Sequence, residues 1–436
     1  MEDEIPFEVP EGWAWCKLND IYNFIDYRGA TPTKITNGIP LVTAKNVKSG
    51  YIDYTIDDYI SEEEFKERQQ RGISKKGDIL FTTEAPLGNA ALADMEKFSA
   101  GQRLITFQQY GSKNELINYV MLMFILSDFF QQQLYVNKTG STVAGIKAAI
   151  LKTLWIPVPP YNEQLRISNT LKSAINLIDS ISKNKEILST SISNTKSKIL
   201  DLAIRGKIVP QDPNDEPASV LLERIRAEKE ELIKQGKIKR DKKESVIFKG
   251  DDNSYYGIHL PDSWNWASLR EIAISISDGS HNPPPNIGSG IPLLSAANIN
   301  DNSILMNEIS RWITNEEWKI ENQRTNIEVG DVLLTIVGSI GRSAVVQNNN
   351  HFALQRSVAV IKPCLINPLY LMHIVQSPQI QKWLTDNSKG TAQKGIYLNA
   401  LSLMIIPIPP LAEQARIVEL IHIAYKQLDL ISNALL

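Results

Sequence analysis

The sequence has few of the residues that build disulfide frameworks and metal sites. Only two cysteines, Cys16 and Cys364, occur in 436 residues, and they lie far apart. This excludes a disulfide scaffold or a thiolate metal site and fits a reducing cytoplasm. The five histidines show neither an HExxH motif nor another metal-ligand spacing. We therefore expect no metal ion in this chain.

Long apolar runs and a strong charge bias are missing as well. The longest apolar run, YVMLMFIL, is far shorter than the ~20 residues of a membrane span. The acidic start MEDEIPFEVP lacks the apolar core of a secretory signal. The net charge of −3 argues against an indiscriminate polyanion binder but is compatible with a local basic face. We expect a cytoplasmic protein of two or three domains with no membrane segment.

Motifs that bind cofactors or perform catalysis are also absent. There is no GxGxxG or Walker loop and no nucleophile elbow. HNPPP, from His281 to Pro285, is similar to the Asn-Pro-Pro-aromatic loop of DNA amino-methyltransferases. Pro285, however, occupies the position of the aromatic ring that must stack on a flipped base. We therefore predict that the chain binds no cofactor and is not an enzyme. A self-sufficient methyltransferase is the enzymatic alternative, and labelling DNA with methyl donor and this chain alone would reveal it.

The sequence repeats itself over nearly its whole length. IPVPPYNEQLRI, from Ile156 to Ile167, returns as IPIPPLAEQARI, from Ile406 to Ile417, with eight of twelve positions identical. PEGWAWCKLNDI from Pro10 returns as PDSWNWASLREI from Pro261, and GDILFTTEAPLG returns as GDVLLTIVGSIG. The offset stays between 250 and 253 residues. A period this long indicates a duplicated domain and excludes a solenoid or a propeller blade.

Each copy predicts a mixed α/β (α+β) domain. IPLVTA and DILFTT are short strand-like runs, whereas ELINYVMLMFILSDFFQQQLY and PLYLMHIVQSPQIQKWL carry apolar residues at helical spacing. LWIPVPP and MIIPIPP predict a strand that ends at paired prolines, which continue neither a ladder nor a helix. Glu163 and Glu413 then suit the first turn of a new helix, because its N-terminal end is positive.

Both of these helices have the spacing of a coiled coil, in which apolar positions alternate between steps of four and three residues. The predicted seam consists of Ile167, Leu171, Ala174, Ile178, Ile181, Leu188 and Ile192 in the first helix and Ile417, Ile421, Ala424, Leu428 and Ile431 in the second. The alternative is that each helix packs on its own domain. Two matched seams favour the coiled coil.

A polar connector joins the copies. It has a turn-rich stretch, VPQDPNDEPASV, then a charged helix that ends at Gly236, then the basic run KIKRDKKES. The basic run is interpreted as a solvated face, with a phosphate or partner contact as the alternative. The predicted division is 1–157 and 259–407 for the two domains, 158–206 and 408–436 for the two spacer helices, and 207–258 for the connector.

The ordered set of two PxxWxW openings, a DGSHNPP loop, two GD-strands and two Pro-Pro-Glu-Gln boundaries resembles the specificity subunits of type I restriction–modification systems. The resemblance implies two target recognition domains, each reading one half of a bipartite, asymmetric site in double-stranded DNA. An antiparallel two-helix coiled coil with pseudo-two-fold symmetry would hold them apart and set the spacing. Two methyltransferase subunits would dock on it and bind S-adenosylmethionine themselves, and two restriction/motor subunits would join for cleavage.

A coiled-coil scaffold that binds protein partners without reading DNA is the other alternative. One departure from the family pattern bears on both hypotheses: the second spacer helix is much shorter than the first, about 26 residues against about 44. Part of the first helix would then lack an in-chain partner, unless the connector covers it or the chain is a shortened or rearranged form.

Loops that differ between the copies supply the candidate DNA contacts, because base edges and phosphates are read by polar and basic side chains on loops. The candidates are Lys34, Lys45, Asn46, Arg103, Lys138, Thr139, Ser141 and Lys147 in the first copy, and His281, Asn282, Asn298, Arg342, Arg356, Lys389, Thr391, Gln393 and Lys394 in the second. A solvated or structural role is the alternative for each. Gln102-Arg103 and Gln355-Arg356 are shared, which favours contact with the DNA backbone. The tryptophans of the PxxWxW openings are expected in the core or at a subunit interface.

Overall fold

Two compact units, Met1–Ser182 and Lys183–Leu436, make up the computed structural model of the chain. The structure describes residues 6–27, 31–55, 57–110, 116–140, 144–240, 255–390 and 394–435. We call the two parts the first unit and the second unit. Both mix helices and sheets, as the sequence predicted. Over the described residues, no helix combines the length and apolar character needed to cross a membrane.

Short strands in small sheets form the frame of the first unit. They are β1 (Ala14–Lys17), β2 (Tyr22–Asp26), β3 (Ile39–Val42), β4 (Tyr59–Ile60), β5 (Ile79–Thr83), β6 (Leu87–Leu92), β7 (Ser99–Ala100), β8 (Leu104–Gln109) and β9 (Trp155–Val158). The central sheet is antiparallel in the order β2-β8-β5-β6. Strand β3 pairs with β4 and, in parallel, with β7, while β1 pairs with β9.

The helices of the first unit are α1 (Leu18–Ile21), α2 (Glu62–Arg68), α3 (Asn118–Leu126), α4 (Asp128–Val136), α5 (Ala148–Leu151) and the start of α6 (Tyr161–Ile204). A 3₁₀ turn, Gln69–Arg71, follows α2. The long helical pattern of the sequence is divided between α3 and α4 at Ser127. Its extended backbone ends α3, and its hydroxyl accepts a hydrogen bond from the Phe130 amide at the start of α4.

The second unit repeats this topology. Its strands are β10 (Asn265–Ser268), β11 (Ala273–Asp278), β12 (Ile291–Leu294), β13 (Ile299–Asn300), β14 (Ser303–Ile304), β15 (Trp312–Ile313), β16 (Val332–Thr335), β17 (Ser343–Val345), β18 (Ala353–Leu354), β19 (Val358–Pro363) and β20 (Ile405–Ile408). The order β11-β19-β16-β17 corresponds to β2-β8-β5-β6, β15-β12-β18 corresponds to β4-β3-β7, and β10-β20 corresponds to β1-β9. The duplication read from the sequence is therefore a duplication of the fold.

Helices of the second unit are the end of α6, α7 (Ala218–Lys234), α8 (Leu269–Ile272), α9 (Asn315–Thr325), α10 (Pro368–Val375), α11 (Pro378–Asp386), α12 (Leu398–Ser402) and α13 (Leu411–Asn433). A 3₁₀ turn, Ala296–Asn298, precedes β13. Helices α6 and α13 begin directly after the paired prolines, as predicted, because proline lacks the amide hydrogen that would extend the strand ladder.

The connector is less polar than its sequence suggested. One face of α7, formed by Leu221, Leu222 and Ile225, is buried in the main core of the second unit. The Ala218 amide donates to the Ser263 carbonyl at 2.9 Å, and Lys229 Nζ donates to the Arg270 carbonyl at 2.6 Å. The i, i+4 spacing of Leu221 and Ile225 gives α7 an apolar stripe, and burying that stripe stabilises its position. Of the basic run, residues 241–245 lie outside the described residues.

Within the second unit, the end of α6 and α13 run antiparallel. Lys196 Nζ lies 2.5 Å from Asp429 Oδ1, and the Tyr425 hydroxyl donates to the Lys196 carbonyl. Of the predicted seam, Ile192, Ile417 and Ile421 are buried; Ile167, Leu171, Ala424 and Leu428 are half-buried; and Ala174, Ile178, Ile181, Leu188 and Ile431 are exposed. The role of the exposed seam residues stays a prediction.

Candidate DNA interface

The DGSH loop of the second unit is held against the neighbouring strand by its backbone. Asp278 ends β11, and Gly279 follows at a point where a Cβ atom would lie 2.1 Å from the Leu354 carbonyl oxygen. The Ser280 amide donates to that oxygen at 2.7 Å, and the Arg356 amide donates to the Ser280 carbonyl at 2.9 Å. Only glycine permits this approach. These backbone contacts therefore hold the DGSH loop and the Arg356 backbone in a fixed relative position.

A charged cluster lies on this loop. The Asp278 carboxylate, which is almost buried, accepts hydrogen bonds from the Arg324 guanidinium and, at 2.8 Å, from His281 Nε2. Arg324 Nε also donates to the Asp278 carbonyl at 3.0 Å. Arg324 comes from α9, and about half of its side chain is exposed. The aspartate thus orients two half-exposed groups, a guanidinium and an imidazole, toward solvent.

This cluster borders a cavity of about 480 Å³. Its walls are formed by Asp278, His281, Arg324, Ile336, Val337, Arg356, Lys389, Gly390, Gly395, Ile396, Tyr397 and Leu398. Arg356 and Lys389 are exposed, and among the described residues their side chains have no hydrogen-bond or ion-pair partner. Paired backbone bonds between Lys389 and Gly395 hold the lysine at the base of its loop. Cations around an apolar floor suit a ligand with phosphate groups and flat bases.

The first unit has a smaller cavity, about 180 Å³, lined by Thr31, Pro32, Lys34, Leu41, Thr43, Ala44, Lys45, Ala85, Gln102 and Arg103. It shares one repeat position with the larger cavity, because Arg103 corresponds to Arg356. Its cations are mostly paired. Arg103 Nε lies 2.8 Å from Glu84 Oε1, and Lys34 Nζ lies 2.6 Å from Asp58 Oδ2. In the repeat, Glu84 corresponds to Val337, so the second unit lacks the carboxylate that engages this arginine. The two cavities therefore differ in available positive charge.

Two predicted DNA contacts, Asn46 and Asn298, are hydrogen-bonded within their own turns. Asn298 is buried, accepts a hydrogen bond from the Ser295 amide at 3.0 Å and donates to the Glu308 carbonyl at 2.9 Å. Asn46 has the same arrangement with the Thr43 amide and the Asp53 carbonyl. The structure gives both a structural role, which was the stated alternative. Their contact with DNA stays a prediction.

The other predicted residues lie on exposed loops, apart from half-buried Arg342. Lys45, Lys138, Thr139, Lys147, Asn282 and Lys394 are exposed. Lys138 Nζ lies over the Tyr135 ring at 4.2 Å. Ser141, Thr391 and Gln393 lie outside the described residues. The structure thus brings His281, Arg356 and Lys389 to one cavity, and Lys34, Lys45 and Arg103 to the other.

Arg324 and Asp278 were missed by the sequence reasoning, although they organise the larger cavity. Asp278 belongs to the DGSH motif, so the motif itself was an available signal for it. Arg324 lies 46 residues further on in a polar helix, and no local pattern distinguishes it from other surface arginines. The pairing becomes visible only when α9 is placed beside β11.

Comparison with known proteins adds independent evidence. The model of the type I restriction modification DNA specificity domain matches residues 10–189 and 271–435. The type I restriction enzyme EcoBI specificity subunit of Escherichia coli is 23% identical over 434 residues, covering 98% of this chain and 82% of that protein. The HsdS subunit from Thermoanaerobacter tengcongensis aligns over 100% of this chain and 94% of its own, with 18% identity and a TM-score of 0.55. A chain from a structure on complex assembly and conformational transition of the type I R-M system covers 99% of this chain and 94% of its own, with 18% identity and a TM-score of 0.61.

Proposed function

Because the chain belongs to the family of type I restriction–modification DNA specificity subunits, we propose that each unit reads one half of a bipartite DNA site. The observation that carries this proposal is one topology present twice, with cavities of different charge that share the arginine position of Arg103 and Arg356. Two domains with the same fold can approach DNA in the same way, while different residues lining their cavities select different bases. An asymmetric site is the expected consequence.

We propose two roles for the residues that line the cavity of the second unit. Arg356 and Lys389, both exposed, are suited to phosphates, because an exposed cation exchanges condensed counterions for a phosphate contact. Arg324 and His281 are held by the Asp278 carboxylate, and such fixed orientation suits recognition of base edges. In the first unit the Arg103–Glu84 pair leaves Lys45 as the available cation of the cavity among the described residues.

The distance between the half-sites is proposed to depend on α6, whose 44 residues correspond to ~66 Å at ~1.5 Å per residue. That length is comparable to one to two turns of B-DNA at ~34–36 Å each. Inserting four residues such as NTKS into α6 adds ~6 Å, or one to two base-pair rises of ~3.4 Å. Both half-sites should be kept while the spacer lengthens. An unchanged spacer length would contradict the proposal that α6 sets the distance between the half-sites.

The chemistry is proposed to belong to partner subunits. Two methyltransferase subunits would dock on the helices, bind S-adenosylmethionine and modify an adenine in each half-site, and two restriction/motor subunits would join for cleavage. The chain alone should transfer no methyl group from labelled S-adenosylmethionine to DNA. If a methyltransferase complex containing this chain methylated DNA without sequence preference, the scaffold hypothesis would be favoured instead.

A domain exchange tests the assignment of half-sites. Residues 1–155 are replaced by the corresponding domain of another family member, and methylated adenines are mapped by sequencing with the reconstituted complex. We expect one half of the recognised site to change and the other half and the adenine in it to stay the same. Changes in both halves would contradict independent reading by the two units.

Substituting one cation tests the cavity itself. Arg356→Ala removes an exposed side chain without a described partner, so stability should change by less than about 0.5 kcal/mol. Binding of the complex to its own DNA should weaken, and the slope of log K against log salt should fall by ~0.9 if one phosphate contact is lost. The matched control is Arg311→Ala, which removes a guanidinium that donates to the Pro284 carbonyl outside the cavity. An unchanged affinity and slope in Arg356→Ala would place this residue outside the interface.

A further inference from the structure

An ion pair at the end of β5 distinguishes the cavity of the first unit. Glu84 directly follows β5, and its Oε1 atom lies 2.8 Å from Nε of Arg103. About half of each side chain is exposed, 43% for Glu84 and 54% for Arg103. Water and salt screen an ion pair at this exposure, so the pair contributes little to the stability of the fold. Contact with a ligand is the other role open to these two side chains.

The backbone around the pair is held from two sides. The Thr83 amide donates to the Arg103 carbonyl at 2.9 Å, and the Ile146 amide donates to the Thr83 carbonyl at 3.0 Å. Glu84 forms a β-bridge with Gly145. Arg103 has a φ of 66°, in the left-handed region that side-chain-bearing residues rarely adopt. A strained residue that its surroundings hold in place is typical of a ligand-binding position.

The second unit has the arginine without the carboxylate. Arg356 corresponds to Arg103 and is exposed. Val337 takes the position of Glu84 and forms the same β-bridge, with Gly395. Of the two arginines, Arg103 alone has a positive φ. The two units therefore present a shared arginine differently, beside a carboxylate in the first unit and beside an apolar side chain in the second.

The carboxylate changes which part of DNA the arginine suits. Glu84 offsets the charge of the guanidinium and repels a phosphate, but both groups keep further hydrogen-bonding atoms. Over the described residues, neither side chain has another side-chain partner. In the major groove, a G·C pair presents the acceptors N7 and O6 of guanine and then the N4 donor of cytosine, whereas an A·T pair alternates acceptor, donor and acceptor. A guanidinium beside a carboxylate matches the order of the G·C pair.

We propose that Glu84 and Arg103 together read one G·C base pair in the half-site of the first unit. Arg103 donates to N7 and O6 of the guanine, while Glu84 holds the guanidinium and accepts a hydrogen bond from N4 of the cytosine. This inference rests on the proposed function, in which each unit reads one half-site. Because Val337 supplies no carboxylate, Arg356 keeps its role as a phosphate contact, and the two half-sites differ at this position.

Substitution of each member tests the pair. The full chain is assembled with its methyltransferase subunits, and methylated adenines are mapped on DNA in which every position of the wild-type site is varied in turn. Glu84→Val, which introduces the side chain found in the second unit, should lower the preference for one G·C pair of the first half-site by roughly fivefold or more. Arg103→Lys should lower the preference at the same base pair, because lysine keeps the charge but not the planar fork. Both variants should keep the second half-site and the thermal unfolding midpoint of wild type.

A change in the DNA provides a measurement that does not depend on the folding of a variant. With 7-deazaguanine in place of the guanine, which removes the N7 acceptor, binding of the wild-type complex should weaken. Binding of the Arg103→Lys complex should weaken no further. Equal weakening of both complexes would overturn the proposal, because N7 would then be read by another group.

Glu62→Val is the matched control, because Glu62 pairs with Lys97 outside the cavity at nearly the same exposure, 45% and 50%. It should keep both half-sites. The proposal is overturned if Glu84→Val and Arg103→Lys retain the wild-type first half-site, relax two different base pairs, or relax an A·T pair. A wild-type complex that methylates DNA without sequence preference would overturn the proposed function itself, whereas a bipartite wild-type site that both variants keep would overturn this inference alone.

Discussion

Gly279 is expected to be the most sensitive single backbone position of the larger cavity. In Gly279→Ala, the added Cβ would lie 2.1 Å from the Leu354 oxygen, 2.3 Å from the Leu354 carbonyl carbon and 2.6 Å from the Gln355 oxygen. All three are backbone atoms, so relief requires the DGSH loop to move away from the strand by roughly 1 Å, a distance that a well-packed region does not absorb freely. Such a shift breaks the Ser280 amide and Arg356 amide hydrogen bonds, which measure 2.7 and 2.9 Å.

Each of these two bonds contributes about 0.5–1.5 kcal/mol, so the substitution should cost about 1–3 kcal/mol of unfolding free energy. The assay is urea unfolding followed by tryptophan fluorescence, together with mapping of methylated half-sites by the reconstituted complex. We expect weakened selection of the half-site read by the second unit and an unchanged half-site for the first.

Gly145→Ala in the first unit is the matched control, because its nearest contacts are 3.4 Å and its backbone φ is not positive. It should cost less than about 0.5 kcal/mol. If Gly279→Ala were as stable as wild type and selected the same two half-sites, the tight approach of loop and strand would be irrelevant to DNA reading. A loss of stability with both half-sites retained would limit its role to folding.

Three further predictions concern buried charges and the cavity cluster. Burial lowers the pKa of His373 to about 4, so the folded protein keeps this side chain neutral while the unfolded chain takes up a proton near pH 6.5. The free energy of unfolding should therefore fall by about 3 kcal/mol as the pH drops from about 6.5 to about 4. His373→Gln should flatten that part of a urea-unfolding pH profile. Lys362→Met removes the partner of buried Asp331, 2.8 Å away, and should cost about 3–5 kcal/mol at neutral pH. Because burial raises the pKa of Asp331, this loss should shrink as the pH is lowered and the carboxylate takes up a proton, and a loss that does not shrink would contradict this. Arg324→Ala should alter selection of one half-site in a methylation map, whereas no change would remove Arg324 from base reading.

Much of the architecture was accessible from the sequence because it rests on local patterns. The alternating strands, the paired prolines that end β9 and β20 and the helices that begin after them depend on neighbouring residues and on fixed backbone preferences. The repeat then showed that both halves share one fold. The break between α3 and α4 was harder to place, because Ser127 interrupts a continuous apolar run.

The tertiary structure decided what distant residues do together. Asp278 and Arg324 are 46 residues apart, Trp264 and Glu413 are 149 apart, and Gln211 and Glu413 are 202 apart. No periodicity spans such separations, and each charged or amide side chain taken alone is typical of a solvated surface. Packing of α9 beside β11, and of the connector and Trp264 against the start of α13, brings these groups together. The sequence therefore determined that the chain contains two domains with one fold. The tertiary structure decided which charged side chains in each domain are available to contact a ligand.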